Sequence, residues 1–340
     1  MIRLSDHIAA AGGWLSLEAF MQLALHHPQE GYYSSSIENI GQRGDFSTTP
    51  TLSPILAKAI VAHWKEACSR CGRRLPLLEI GAGSGAPAVK ILERLGFWNR
   101  LNTDYVIVES SPRLREFQHL LLGGRAKIYS TMEKALKHCG GKAFIFSNEL
   151  VDAFPARVFE YTEQDWKEVG LVVKNGAVRE ELRPVRQQPL FSHMLEYGSQ
   201  PGQRVEIHDS YARWFTSWLP HWNMGVMTVI DYGDEMERLY YRRPRGSLRG
   251  YKSHQVLTGE ELYRNPGLTD LTCDVNFTDL LELSRNCLGD RVTFMTQRDY
   301  LLPHAENTPQ DAFLTDEYGA GGHFHVLIQE RQRLQPEGTQ

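Results

Sequence analysis

The chain has 340 residues, of which 41% are hydrophobic and 23% charged, with a formal net charge of −4. This is an ordinary globular composition, too long for a minimal core and suited to one large domain with insertions or to two domains. The charge balance gives no general attraction for nucleic acid, no apolar run is long enough to span a bilayer, and five cysteines, an odd number, argue against a full disulfide framework and for a reducing compartment.

The first stretch, Ile2 to His27, is moderately apolar, but Asp6 and Glu18 interrupt it and the Arg/Ser enrichment of a transit peptide is absent. Ser16 reads as the N-cap of a helix whose inner face is Leu17, Phe20, Met21, Leu23, Ala24 and Leu25. A turn carrying Tyr32 and Tyr33 follows, and Gly41 and Gly44 mark a loop. Thr51 or Ser53 can cap the next helix, with Ile55, Leu56, Ala59, Ile60 and Trp64 facing inward. Cys68 and Cys71 form a lone C-x-x-C with no second pair at zinc spacing, which reads as structural, and no metal site is expected.

Leu75 to Leu92 is the stretch around which the chain is organised. Leu75, Leu77, Leu78 and Ile80 form a short buried strand, Gly81, Gly83 and Gly85 fall at every second position, and Val89, Ile91, Leu92 and Leu95 then repeat at helical spacing behind Pro87. Strand, glycine-rich turn and helix bring backbone N–H groups close to a ligand. The run Gly81-Ala82-Gly83-Ser84-Gly85-Ala86 also satisfies the dinucleotide pattern, so an NAD-dependent dehydrogenase has to be weighed. Three features favour S-adenosylmethionine (SAM) instead. Glu79 precedes the turn, where it can meet the cationic amino end of methionine. Glu109 ends the next apolar run 28 residues after Gly81, longer than the interval of about 20 in the dinucleotide fingerprint, and can accept ribose hydroxyls. A further strand, KAFIFS, ends in the polar cluster Asn148-Glu149-Leu150-Val151-Asp152.

Beyond Glu109, Ser110 or Ser111 caps a helix with Leu114, Phe117, Leu120 and Leu121 inward, and Arg125–Ser130 reads as a short strand. The carboxyl end of Ala143–Ser147 should face the transferring methyl group by switch-point geometry, and Glu149 and Asp152, three apart, would share a face of a helical turn. The Asp/Asn-Pro-Pro-aromatic loop of many DNA amino-methyltransferases is absent. Arg157 to Pro184 is β-rich, with Asn175-Gly176 as a hairpin turn. Leu190–Tyr197 and Tyr211–Leu219 read as helices, and Trp214, Trp218 and Trp222 as a core stripe. Gly225–Asp234 is another strand, ending in Asp231 and Tyr232. The basic loop Tyr240–Lys252 either grips an acidic partner or is solvated. Asp270–Phe277 leads into a helix, and Arg291–Gln297 and His323–Gln329 read as closing strands of antiparallel type, with His323 and His325 on one side. The tail is polar.

Read in order, MQLALHHPQEGYY, GDFSTTP, LLEIGAGSG, VIVESSPRLREFQ, SNELVDAFPARVF, IDYGD, LRGYKSH and DLTCDVNF resemble the MidA-like family of SAM-dependent methyltransferases. That family includes the mitochondrial protein arginine methyltransferase needed for assembly of respiratory complex I. The resemblance runs from about Phe20 to Ile328, and it departs at Ser84, where the family often has arginine. It implies an α/β fold: a Rossmann-like class I SAM-dependent methyltransferase sheet with an N-terminal helical extension and a β-rich insertion. The expected division is 1–74 as a helical segment covering the pocket, 75–156 as the first half of the SAM domain, 157–222 as the insertion, 223–330 as the second half, and 331–340 as the tail. SAM is expected to be held by Glu79, Gly81, Ala82, Gly83, Gly85, Glu109, Ser110, Asn148 and Asp45, with Tyr33, Phe46, Asp231, Tyr251 and His254 on the substrate side and Glu149 and Asp152 as catalytic carboxylates. The implied activity is methylation of a protein side chain, arginine by resemblance, on a partner that is a respiratory-complex subunit by the same resemblance. The alternatives are another acceptor or a SAM-binding assembly factor without turnover. The family resemblance begins almost at Met1, which fits a cytoplasmic, bacterial-type member.

Overall fold

The computed structural model describes residues 2–36, 54–190, 193–252, 255–289, 291–306 and 308–331. The GDFSTTP block with Asp45 and Phe46, the cap candidates Thr51 and Ser53, and His254 lie outside the described residues. The chain divides into two compact units, each made of discontinuous segments: Met1–Asn39, Val151–Phe215 and Gly233–Leu280 in one, and Ile40–Leu150, Thr216–Tyr232 and Leu281–Gln340 in the other. No described helix is long and apolar enough to cross a membrane.

The second of these units is built on a twisted sheet. Its strands are β1 (Leu77–Ile80), β2 (Tyr105–Val108), β3 (Lys127–Tyr129), β4 (Lys142–Asn148), β5 (Met224–Asp234), β6 (Val292–Thr296) and β7 (Phe324–Arg331), and they lie side by side in the order β3-β2-β1-β4-β5-β7-β6. β1 to β5 pair in parallel, and β7 runs antiparallel to both of its neighbours. All four residues of β1 and of β2 are buried, which is why these strands read as unbroken apolar runs rather than alternating ones. The order reverses between β1 and β4, so the crevice at their carboxyl ends is the switch point where such sheets hold ligands.

Helices α1 (Ile55–Arg70), α2 (Ala86–Leu101), α3 (Pro112–Leu122) and α4 (Met132–His138) belong to the same unit. Ile55, Leu56, Ala59, Ile60 and Trp64 are buried as their spacing predicts, and the Trp64 indole donates to the Leu75 carbonyl at 2.9 Å. Ser111 caps α3 by accepting the Leu114 N–H at 3.2 Å. The inner stripe of α3 is Leu114, Gln118 and Leu122; Leu120 and Leu121, expected inside, are 79% and 39% exposed. Spacing of i, i+4, i+8 fits one helix face, and a polar residue occupies its middle. Trp218 and Trp222 are core residues of this unit. His323 ends a short helix, Ala320–His323, and β7 begins after it, so the two histidines do not share a strand face; His325 instead stacks on Phe294 at 5.0 Å.

The other unit carries an antiparallel sheet of hairpins. Arg157–Tyr161, Trp166–Lys174 and Ala177–Pro184 follow the expected segments, and Arg204–Ile207 adds to the Arg157–Tyr161 edge. Leu15–Ser16 pairs with Gly170–Leu171, so the N-terminal residues complete this sheet. Asn175 and Gly176 both have left-handed backbone (φ 52° and 76°), as a primed hairpin turn requires. The described part of Leu190–Tyr197 is a 3-10 turn, His193–Glu196, rather than an α-helix. Arg157 is buried and bidentate on Glu168 (2.9 and 2.8 Å), with Asp209 at 3.4 Å and the Gln187 carbonyl at 2.8 Å.

A second small sheet joins Gln255–Leu257, Arg249–Lys252 and Asp270–Thr272. The basic loop is tied within its own unit. Arg242 pairs with Asp234 (2.8 Å), Arg243 and Arg249 pair with Asp274 (3.2 and 2.5 Å), and Arg245 donates to the Gly202 carbonyl (3.1 Å). Beneath it the buried Glu206 accepts the Ser247 and Leu248 N–H groups at 2.7 and 3.1 Å. These arginines therefore serve the loop's own shape, which weakens the reading of an acidic partner at this site.

Candidate cofactor and active site

The site is built at the carboxyl ends of β1, β2, β4 and β5. After β1, Gly81, Gly83 and Gly85 all adopt left-handed backbone, at φ 68°, 51° and 72°. L-residues avoid that region, so the turn needs glycine at each of the three. A Cβ on Gly83 would meet no atom within 4 Å, which leaves its face open to a ligand; one on Gly81 would approach Leu150 Cδ1 at 2.9 Å. Ala82 is buried in the core, so only its backbone can face the cofactor. Gly85 is the N-cap of α2, with Pro87 in the first turn behind it.

Two acids flank the turn. Glu79 is 4% exposed, and burial pushes its carboxyl up to about 7, against a 2.5 Å hydrogen bond from the Tyr105 hydroxyl that favours the charged form and with the Glu109 charge adding to the rise. Glu109 is 6% exposed and also pushed up to about 7 by burial, opposed by the Ser111 N–H on Oε1 (2.9 Å) and the Gln118 amide on Oε2 (3.4 Å). Among the described residues neither makes an ion pair with Lys or Arg. Arg115, which donates to the Glu109 carbonyl at 2.8 Å, offsets part of the rise, yet two buried acids with no ion pair of their own form a place that favours a positively charged, hydroxyl-bearing ligand. Ser110 is exposed, and its carbonyl accepts from Arg115 at 2.7 Å.

At the end of β4, Asn148 donates through Nδ2 to Glu149 Oε1 at 3.1 Å, and its own Oδ1 is buried without a hydrogen-bond partner among the described residues. Glu149 has φ 51°, and its N–H bonds the Ile230 carbonyl at 2.9 Å. A glutamate held in left-handed backbone stores strain of a kind that clusters at functional sites. The helical turn starts only at Val151, so Glu149 and Asp152 are not neighbours on one helix face as the spacing suggests. Asp231 is fully buried; Oδ2 accepts the Leu150 N–H (3.1 Å) and Oδ1 its neighbour Tyr232's (2.9 Å). It fixes the tip of β4 to that of β5 from a buried strand end.

The other unit has a cluster of its own. Tyr33 donates to Asp270 at 3.0 Å, and burial raises its hydroxyl well above the usual range. Asp152 is buried and accepts from Thr272 Oγ1 at 2.7 Å, while its carbonyl accepts the Cys273 N–H at 3.0 Å. Tyr251 is 40% exposed and accepts from Arg249 Nε at 2.8 Å. Sequence reasoning missed Tyr105 and Gln118. The signal for the first was a tyrosine opening a buried strand, whose hydroxyl must find a partner.

The strand order, the bare turn and the two cation-seeking acids define a SAM-dependent methyltransferase, and the comparisons agree. Residues 55–295 match the family described as "Putative S-adenosyl-L-methionine-dependent methyltransferase", and the chain belongs to this family, the MidA-like methyltransferases. It is similar to the mitochondrial protein arginine methyltransferase NDUFAF7 of Xenopus tropicalis, 26% identical over 324 residues covering 85% of this chain and 71% of that protein. The Danio rerio protein of the same name is 27% identical over 333 residues, covering 87% and 75%. A crystal structure of a "likely methyl transferase" from Burkholderia thailandensis with S-adenosyl-homocysteine bound superposes with a TM-score of 0.83 at 25% identity, covering 96% of this chain and 90% of that one. The dehydrogenase alternative is set aside.

The residues present fit the cofactor. Glu79 and Glu109 would hold its ammonium and ribose, and the glycine turn would give its backbone to the ligand. When bound, SAM supplies a methyl group on a positively charged sulfur. The chain's part is to orient it, to hold counter-charge near it, and to handle the acceptor's proton.

Proposed function

We propose that the acceptor is a nitrogen of an arginine side chain in a partner protein. The observation that carries this reading is Glu149: a carboxylate at the switch point, on strained backbone, held by the Asn148 amide. A guanidinium is cationic at neutral pH and has little free lone pair. A fixed carboxylate can hold one of its N–H groups, turn the nitrogen toward the methyl donor, and take the proton released as the N–C bond forms. Asp152 is the lesser candidate, because Thr272 already occupies one of its oxygens. The similar proteins named arginine methyltransferases support the same acceptor.

The test is incubation of host lysate with isotopically labelled SAM and the protein, followed by mass spectrometry. The expected result is label on methylarginine of a discrete polypeptide. Label confined to small molecules would favour the second reading, a small-molecule methyltransferase. Glu149→Gln should leave SAM affinity intact and depress turnover; unchanged turnover removes Glu149 from this role.

A further inference from the structure

Gln118 lies in the middle of the inner stripe of α3, wholly buried. Its Nε2 donates to the Gly83 carbonyl at 2.9 Å and approaches Glu109 Oε2 at 3.4 Å. Both neighbours are acceptors, so the amide can face them only with its nitrogen, and the alternative flip is excluded. Its Oε1 is left buried with no hydrogen-bond partner among the described residues. Its Cγ lies 3.5 Å from where a Cβ on Gly85 would stand, so the side chain underlies the turn from Gly83 to Gly85.

An apolar side chain of similar volume would fill this stripe without the stranded Oε1, though it would take the donor from the Gly83 carbonyl. A buried acceptor left unmade costs stability, and here that cost roughly offsets what the amide gains from the Gly83 carbonyl. A helix packing on its neighbours therefore does not need glutamine here. The amide does one thing an apolar group cannot: it ties the cofactor turn after β1 to the acid after β2.

We propose that Gln118 is a positioning residue for SAM binding, which locks the glycine turn and the Glu109 carboxylate into one arrangement before the cofactor arrives. Binding to a prearranged site avoids the ordering cost of assembling it. The role is independent of which acceptor is methylated. The same hydrogen bond favours the charged form of Glu109, so losing it moves the titration of that carboxyl upward.

Gln118→Met keeps the length and removes both polar ends. The apo variant should melt close to the wild-type temperature while its SAM dissociation constant, by isothermal titration, rises about ten-fold. The pH at which affinity is half lost should move upward from the wild-type value. Wild-type affinity overturns the proposal, and so does a loss of stability and affinity together with an unmoved pH midpoint, which would mark simple packing. If the Met variant does not fold, Gln118→Glu carries the test. It turns an acceptor toward the Gly83 carbonyl and Glu109, so it must weaken SAM binding at pH 7.5, and wild-type affinity there overturns the proposal.

Discussion

The Tyr105 hydroxyl donates to Glu79 Oε2 at 2.5 Å, joining the first residue of β2 to the acid just before the glycine turn. Among the described residues it is the one hydrogen bond to a carboxyl that burial otherwise drives toward neutrality. Tyr105→Phe should therefore raise the Glu79 titration further above about 7. SAM affinity at pH 7 should fall about three- to ten-fold, as expected for one charge-assisted hydrogen bond. The deficit should shrink at pH 8.5, where the carboxyl ionises regardless; titration calorimetry at the two pH values checks this.

The two acids predict how cofactor binding depends on pH. Both carboxyls titrate at about 7 in the folded protein. Their raised values mean that the native state without cofactor holds protons that the unfolded chain releases, so the protein without cofactor loses stability as pH rises from about 4.5 through about 7. A cationic ligand needs the carboxylates, so the sign reverses for binding: affinity rises with pH through the same window. The thermal shift produced by SAM should be larger at pH 8 than at pH 6, and a shift that is flat or falls with pH would contradict the assignment.

Gly83 separates ligand space from protein space. Gly83→Val places a branched side chain where no atom of the described residues lies within 4 Å. Folding should lose only the penalty for left-handed backbone, about 1 to 2 kcal/mol, whereas SAM binding should become undetectable by titration. Normal SAM affinity in this variant would show that the face is not used.

Glu149 offers a test of strain. Glu149→Ala and Glu149→Gly remove the same carboxylate, but only glycine relaxes a φ of 51°. The glycine variant should be the more stable of the two by about 1 kcal/mol, read as a higher midpoint in chemical denaturation, while both lose turnover.

Arg157 is a test of the hairpin unit. Arg157→Met leaves Glu168 and Asp209 buried without their cation. The expected loss is about 3 to 5 kcal/mol; in the triple variant with Glu168→Leu and Asp209→Asn most of it should return.

Much of this architecture was legible because it is local. The change from strand to helical period around Gly81–Gly85, the caps at Ser16 and Ser111, and the Asn175-Gly176 hairpin all depend on residues a few positions apart. The antiparallel strands β6 and β7 showed themselves by alternation. What the sequence hid were contacts between distant segments. Leu120 and Leu121 looked like core because they are leucines, and Gln118, a polar residue, drew no reading at all; only the position of the Gly83 carbonyl shows what it is for. The left-handed glutamate was equally invisible, since its conformation is set by the bond of its N–H to Ile230 on β5 rather than by its own neighbours. His323 was misplaced because two alternating histidines mimic a strand, while Gly321 and Gly322 before it allow a tight helical end.

The sheet order has a consequence for biosynthesis. β5 lies between β4 and β7, yet β7, Phe324–Arg331, follows β5 in the chain only after β6 and several helices. Until that segment leaves the ribosome, one long flank of a largely buried strand has no mate, and a nascent chain paused before it exposes a sticky margin. A chain cut short before Phe324 should yield aggregate rather than a smaller working enzyme.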